Sequence, residues 1–200
     1  MLLQAIKRTF SCRFAMIKLV SLYKKPIRLF DQSVGSKIAK IPDSLYGPLA
    51  VLCLIIHPVG WLLLVIIGSG IALAREDAFG WILSVATVIL ILQADVIKLI
   101  LRRPRPVSLY AQNMRMKSYS FPSAHAYAAA AGSGYLLAYL APYISISTLN
   151  IVFIFLTGLS LVVAVARVRL QAHFPSDVAG GLILGTLASV ICLFIATWLS

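Results

Sequence analysis

Charged residues along this chain stand between long apolar runs, and the runs locate the elements. No charged side chain occurs from Ser44 to Ala74, although His57-Pro58 interrupts the stretch. A bilayer core about 30 Å thick requires roughly 20 apolar residues per helix. The stretch therefore divides into a short interfacial helix over Leu45 to Ile56 and the core of a first span over Val59 to Ala74, closed by Arg75-Glu76-Asp77. Ala78 to Ala94 is again uncharged and, continued through Asp95 to Ile100, predicts a second span. Arg102 to Lys117 is a cationic loop, in which Pro104 and Pro106 stop the helix and favour extended backbone. From Ser118 to Ala166 there is no Lys, Arg, Asp or Glu, which is too long for one helix and fits a hairpin turning near Ala141-Pro142. A polar connection over Arg167 to Ser176 leads to a fifth span, Val178 to Ser200, where Gly180, Gly181 and Gly185 permit close helix contact. The predicted fold is all-α, a polytopic membrane bundle of about five spans.

The amino-terminal part follows a different period. Leu3, Ile6, Phe10, Phe14 and Ile17 share one helical face, with Lys7, Arg8, Lys18 and Lys25 around it, the pattern of an amphipathic helix on anionic lipid. Cations at 7, 8, 13, 18, 24, 25 and 28 leave runs too short for a secretion signal or a span. The chain is accordingly divided into a basic amphipathic segment, 1–43, and a membrane-embedded domain, 44–200.

Composition narrows the function. With 60% hydrophobic and 12% charged residues and a mean hydropathy of +0.95, the chain is far from a soluble domain and belongs in the cell membrane. Its net charge of +12, from 18 Lys and Arg against 6 Asp and Glu, would suit nucleic acid on a polar scaffold, but no such scaffold exists here. Membrane lipids and an anionic substrate are the expected partners, and nucleic acid is excluded. Cys12, Cys53 and Cys192 are widely spaced and odd in number, so neither a disulfide framework nor a zinc site follows.

Polar groups at membrane depth are costly, so their placement is informative. They fall in three clusters: Lys98 to Arg105-Pro106, then Pro122-Ser123-Ala124-His125, then Arg167, His173 and Asp177. Five spans bring all three to one membrane face. Arg102, Arg103 and Arg169 are expected to anchor span ends, His57 to make a structural hydrogen bond, and Asp95 to pair with Lys98 one helical turn away. Anchoring does not account for two histidines, an aspartate and three further cations converging on one face. Carboxylate or Cys/His groupings that would hold a catalytic metal are missing from the pattern, and no cofactor is implied. Lys98, Arg105 and Arg167 instead form a cradle for a tetrahedral oxyanion. Ser123 adds a hydroxyl, and Pro122 suits a helix start whose free N–H groups face the same anion. A cationic cradle with two imidazoles suits covalent phosphoryl transfer, one ring attacking phosphorus and the other protonating the leaving oxygen.

Lys98-x6-Arg105-Pro106, Pro122-Ser123-Ala124-His125 and Arg167-x5-His173-x3-Asp177 together resemble the three-part signature of the type 2 phosphatidic acid phosphatase superfamily, which also contains vanadate-dependent haloperoxidases. The resemblance organises residues 45 to 200. It implies that His173 is the nucleophile forming a phosphohistidine, that Asp177 orients it, and that His125 is the general acid. Lys98, Arg105, Ser123, Ala124 through its backbone N–H, and Arg167 would then bind the phosphoryl oxygens. The family usually has Gly at the position of Ala124 and Ser at that of Ala166, departures that spare every bond-making group. The implied activity is metal-independent removal of phosphate from a lipid phosphate or diphosphate. Polyprenyl diphosphates such as undecaprenyl diphosphate, phosphatidic acid and phosphatidylglycerol phosphate are the candidate substrates. A lipid phosphotransferase using the same phosphohistidine, and a catalytically silent lipid-phosphate binder or transporter, remain alternatives; a soluble haloperoxidase does not fit this composition. In the five-span arrangement 17 of the 18 Lys and Arg lie on the face of the site and only Arg75 on the other. The positive-inside rule then places the site in the cytoplasm, whereas bacterial relatives commonly act on the outer face.

Overall fold

The computed structural model describes residues 25–114, 116 and 118–200, which form helices and no strand. Helix α1 covers 25–38 and a 3-10 turn covers Asp43–Leu45. There follow α2 (Tyr46–Ile55), α3 (Pro58–Ala74), α4 (Ala78–Leu101), α5 (Leu109–Asn113), α6 (Ala124–Leu140), α7 (Ile146–Arg169) and α8 (Pro175–Leu199). The apolar face expected over Leu3 to Ile17 lies outside the described residues, as does Cys12.

Local chemistry sets the boundaries. His57 is extended at φ −78° and ψ 146°, and its Nδ1 accepts the Val59 N–H at 3.2 Å, so it separates α2 from α3 while capping the latter. Asp77 caps α4 by accepting from the Gly80 N–H at 2.9 Å. That helix ends where Arg102 turns left-handed at φ 47°, two residues before Pro104. The hairpin turn falls where expected, since α6 ends at Leu140 and α7 begins at Ile146. The polar connection is shorter than expected: Arg167 occupies the last turn of α7, and Ser176 and Asp177 the first turn of α8.

Four stretches are long and apolar enough to cross a bilayer: Asp43–Ala74, Ala78–Leu101, Ile146–Arg169 and Pro175–Leu199. Two expectations change here. The helix assigned to the interface, α2, is continuous in apolarity with α3, and its Cys53 packs against Ala166, Leu170 and Ala172 across the end of α7. The remaining expected span corresponds to α6, which at 17 residues is shorter than the crossing stretches and is enclosed by α3, α4, α7 and α8. Nine of its residues are buried, among them Ala126, Ala128, Ala129 and Ala131, whose small side chains let the neighbours approach. A helix shielded from lipid by protein on several sides does not need the length or apolarity of an exposed one.

The core between α3, α4, α6 and α8 is built on Val65, Leu83, Tyr127, Tyr135 and Cys192. Buried polar groups in it find partners across helices, as when the Tyr127 hydroxyl donates to the Leu90 carbonyl at 2.7 Å. Outward-facing Ile67, Ile89, Ile154, Val190 and Phe194 are exposed, the apolar girdle that lipid covers. The α6–α8 contact positions the site. A Cβ at Gly181 would stand 2.8 Å from the Ser123 carbonyl oxygen, an approach only glycine allows.

Candidate active site

The end of α4, the start of α6, the end of α7 and the start of α8 meet at one end of the bundle, and the Arg102–Ser123 connection closes over them. The three clusters thus converge as the spans anticipated. Backbone bonds lock them together: the Ser123 N–H donates to the Asp177 carbonyl at 3.0 Å, and the His173 N–H to the Arg167 carbonyl at 3.3 Å.

His173 lies in the turn between α7 and α8 and is only 3% exposed. An Arg105 terminal nitrogen stands 3.0 Å from its Nε2. Arginine can only donate, so Nε2 carries the lone pair and the proton sits on Nδ1. Asp177 Oδ2 lies 3.7 Å from that Nδ1, beyond hydrogen-bond length, and Nδ1 has no other partner among the described residues. Burial pushes the imidazole down to about 4, with the cations of Arg105 and Arg167 adding to the effect and Asp177 opposing it. His173 is therefore neutral at physiological pH with its Nε2 lone pair in place, the state a nucleophile needs.

Arg105 is held from several sides. Its Nε donates to the Ser118 carbonyl at 2.7 Å, one terminal nitrogen to the Ser118 hydroxyl at 2.9 Å, and the other to the Ala172 carbonyl at 2.9 Å as well as to His173. Burial and the nearby Arg167 guanidinium hold its pKa below the ordinary value. Arg167 is 2% exposed and faces no carboxylate among the described residues. Its contacts are the Tyr110 hydroxyl at 3.4 Å and the Met116 sulfur at 3.9 Å, and its Nε is unpartnered. A buried cation in that condition is costly unless an anion completes it. The buried Ser123 hydroxyl is likewise without a partner, at the N-cap of α6. Ala124 follows as the first helical residue and is not among the residues with positive φ, so alanine replaces the usual glycine without strain. Ala166 is fully buried against Cys53 and Tyr110.

His125 follows in the first turn of the same helix. Its Nε2 lies 3.1 Å from the Cys53 carbonyl, which can only accept, so that nitrogen holds the proton. The His57 ring stands edge-on to it, centroids 5.1 Å apart, in addition to making the structural cap expected of it. Lys98 is buried at 5% exposure, and its ammonium donates to Asp95 at 2.7 Å. The ion pair expected from spacing is present and occupies the Lys98 ammonium, which makes no hydrogen bond to Arg105, Ser123 or Arg167.

Sequence reasoning missed four groups. Arg103, expected to anchor a span end, instead donates at 2.6 Å each to Asp177 Oδ1, the Ser176 hydroxyl and Asp31 Oδ2, and stacks 4.5 Å over the Phe174 ring. The fully buried Ser120 hydroxyl donates to Asp177 Oδ2, which also accepts the Phe174 N–H at 2.8 Å. Ser118 holds Arg105, as above. Asp31 on α1 accepts from Ser176, and its only sequence signal was an acid in a segment otherwise rich in cations. Arg169 likewise pairs with Asp43 and donates to the Ile41 carbonyl, so it fastens the turn before α2 instead of reaching for lipid. Arg102 remains exposed, in keeping with an anchor.

The arrangement joins a neutral imidazole, its Nε2 lone pair held by Arg105, to unpartnered buried donors. A cavity of about 210 Å³ borders it, lined in part by Asp31, Gly35, Pro106, Gln171, His173 and Pro175. Among the described residues no three His, Cys, Asp or Glu side chains gather to hold a metal ion.

Known proteins agree with this picture. A crystal structure described as the first transmembrane PAP2-type phosphatidylglycerolphosphate phosphatase from Bacillus subtilis matches with a TM-score of 0.73 at 23% identity, covering 88% of each chain. That likeness establishes the fold. The sequence of residues 79–199 matches the PAP2 superfamily, a region that holds all three clusters and more than half of the 200 residues, and the chain therefore belongs to that superfamily.

Proposed function

We propose that this protein is an integral-membrane phosphatase that removes a phosphoryl group from a lipid phosphate or diphosphate through a phosphohistidine on His173. The observation that carries the reading is the set of unpartnered donors at the site: of four buried side-chain polar atoms without a partner among the described residues, three belong to Ser123, Arg167 and His173. Such groups are normally satisfied, and an oxyanion bound among them would satisfy the two donors of Ser123 and Arg167.

The chemistry follows from the tautomers. A phosphoryl group entering the site draws the Arg105 guanidinium from His173 Nε2 onto its own oxygens, which frees the lone pair. Arg167, the Ser123 hydroxyl and the Ala124 N–H at the start of α6 take the other oxygens, and Lys98 joins them by exchanging Asp95 for phosphate. Nε2 attacks phosphorus and the bond to the leaving oxygen breaks; His125, which takes up a second proton as the anionic phosphate binds and is then an imidazolium, gives the leaving oxygen one proton and returns to the neutral ring. The positive charge that develops on His173 is stabilised by Asp177 as the Nδ1 contact tightens. Water, deprotonated by the now neutral His125, then cleaves the phosphorus–nitrogen bond and releases inorganic phosphate.

For substrates, the reading keeps polyprenyl diphosphate, phosphatidic acid and phosphatidylglycerol phosphate. The last is supported by the name of the structurally similar phosphatase. The same end of the bundle holds α1 through Asp31, so the cationic segment from residue 25 onward shares the face of the site, which favours a cytoplasmic active site. Val107, 92% exposed beside the site, and Ser147, at the opposite end, are the positions for single cysteines in a background lacking native ones. On intact cells, an impermeant thiol reagent should label position 147 and not 107; labelling of 107 alone overturns the cytoplasmic placement. The catalytic reading is tested by phosphate release from a panel of detergent-solubilised lipid phosphates, wild type beside His173→Ala. Equal release by the two removes it.

A further inference from the structure

We infer that Asp31 is a positioning residue for the reaction, acting through Arg103 on Asp177, and that α1 is thereby part of the catalytic unit. This rests on the phosphohistidine reading above. Asp31 lies outside residues 79–199, so the family match does not point to it.

The geometry is specific. Asp31 Oδ1 accepts the Ser176 N–H at 2.8 Å, Oδ2 accepts the Ser176 hydroxyl at 3.0 Å, and Oδ2 also accepts from Arg103 at 2.6 Å. The Asp31 side chain is 8% exposed and that of Arg103 26%, so water does little to screen the pair. Arg103 then spans two carboxylates, with its other terminal nitrogen 2.6 Å from Asp177 Oδ1 and 2.6 Å from the Ser176 hydroxyl. Ser176 is the residue before Asp177, so Asp31 grips the first turn of α8 by both backbone and side chain while fixing the guanidinium that fixes Asp177.

Without Asp31, Arg103 loses one of its two carboxylates and the Ser176 N–H loses its acceptor. Asp177 keeps the Ser120 hydroxyl and the Phe174 N–H on Oδ2, but the guanidinium on its Oδ1 is no longer fixed, and the aim of the carboxylate at the His173 Nδ1 loosens. Substrate phosphate is bound by other groups, so the cost falls on the chemical step. Misplacement of a supporting group by an ångström can lower a rate about 100-fold.

The test measures kcat and KM for detergent-solubilised full-length protein as wild type, Asp31→Asn, Asp31→Glu and His173→Ala, with the unfolding midpoint of each. Asp31→Asn should lower kcat at least about tenfold with KM within about twofold, and Asp31→Glu, which restores the charge, should recover most of the loss. Unchanged kcat in Asp31→Asn overturns the inference. So does a loss shared by kcat and KM in step with a fallen midpoint, or a Glu variant no better than Asn. Should Asp31→Asn not fold, Ser176→Ala carries the test, with lowered kcat at wild-type KM in support and unchanged kcat against. Activity retained by His173→Ala would instead defeat the underlying phosphohistidine reading, whatever Asp31 does.

Discussion

Replacing Gly181 with alanine tests whether the α6–α8 contact sets the active-site geometry. The added Cβ would lie 2.8 Å from the Ser123 carbonyl oxygen, 3.1 Å from the Ala126 Cβ and 3.2 Å from the Tyr127 nitrogen. Two of those atoms are helix backbone, which cannot rotate away. A carbon–oxygen contact settles at about 3.3–3.6 Å, so the two helices must part by about 0.5–0.8 Å. Overpacking of this kind costs about 1–3 kcal/mol, a loss of several degrees in the unfolding midpoint. The separation runs along the line that holds Ser123 and His125 against Asp177 and His173, because the Ser123 N–H to Asp177 carbonyl bond at 3.0 Å crosses it. A fall in kcat of about tenfold or more should accompany it. Gly158 on α7 is the matched control, since a Cβ there meets nothing within 4 Å. Gly158→Ala should keep wild-type kcat and gain up to about 1 kcal/mol of stability. Thermal unfolding and phosphate release in the same detergent read both quantities. Wild-type kcat and midpoint in Gly181→Ala would refute the reasoning, and so would equal damage from Gly158→Ala.

Further outcomes follow from the site. An activated aryl phosphate, whose leaving group needs no proton, should partly rescue His125→Ala and not His173→Ala; equal rescue of both, or of neither, would leave the acid and nucleophile roles unsupported. Because burial lowers the His173 pKa to about 4 from the ordinary 6.5, the imidazole stays neutral through that interval, and kcat/KM should not show an acid limb near 6.5 assignable to it. The same depression means that the unfolded chain binds the proton first, so this group's contribution to stability is intact above 6.5 and lost as pH falls toward 4; unfolding midpoints across that window should decline with acidity. Activity should persist in EDTA and be inhibited by vanadate, which adopts a trigonal bipyramid in such a cradle. Loss with chelator and recovery with magnesium would contradict the mechanism.

The sequence by itself determined the apolar helices long enough to cross the bilayer and singled out the ionisable residues proposed to carry chemistry. Excluding charge from hydrocarbon is a local requirement, so α3, α4, α7 and α8 could be read from uncharged runs, and the Asp95–Lys98 pair from a spacing of one turn. His125, His173, Asp177, Arg105 and Arg167 were legible because ionisable groups are rare at membrane depth and the three clusters fall on one face together. Only the tertiary structure decided what surrounds them. Arg103 looked like one more cation at a span end, and its bonds to Asp31 and Asp177 join positions 72 and 74 residues away. Asp31 meets Ser176 across 145 residues, a contact that no local period encodes. Ser120 is one hydroxyl among several in its loop until packing buries it beside Asp177. The enclosure of α6 was also hidden, because an alanine-rich helix reads the same facing lipid or facing four other helices. Composition and period report what a residue requires of its surroundings; which distant group meets that requirement is settled when the helices pack.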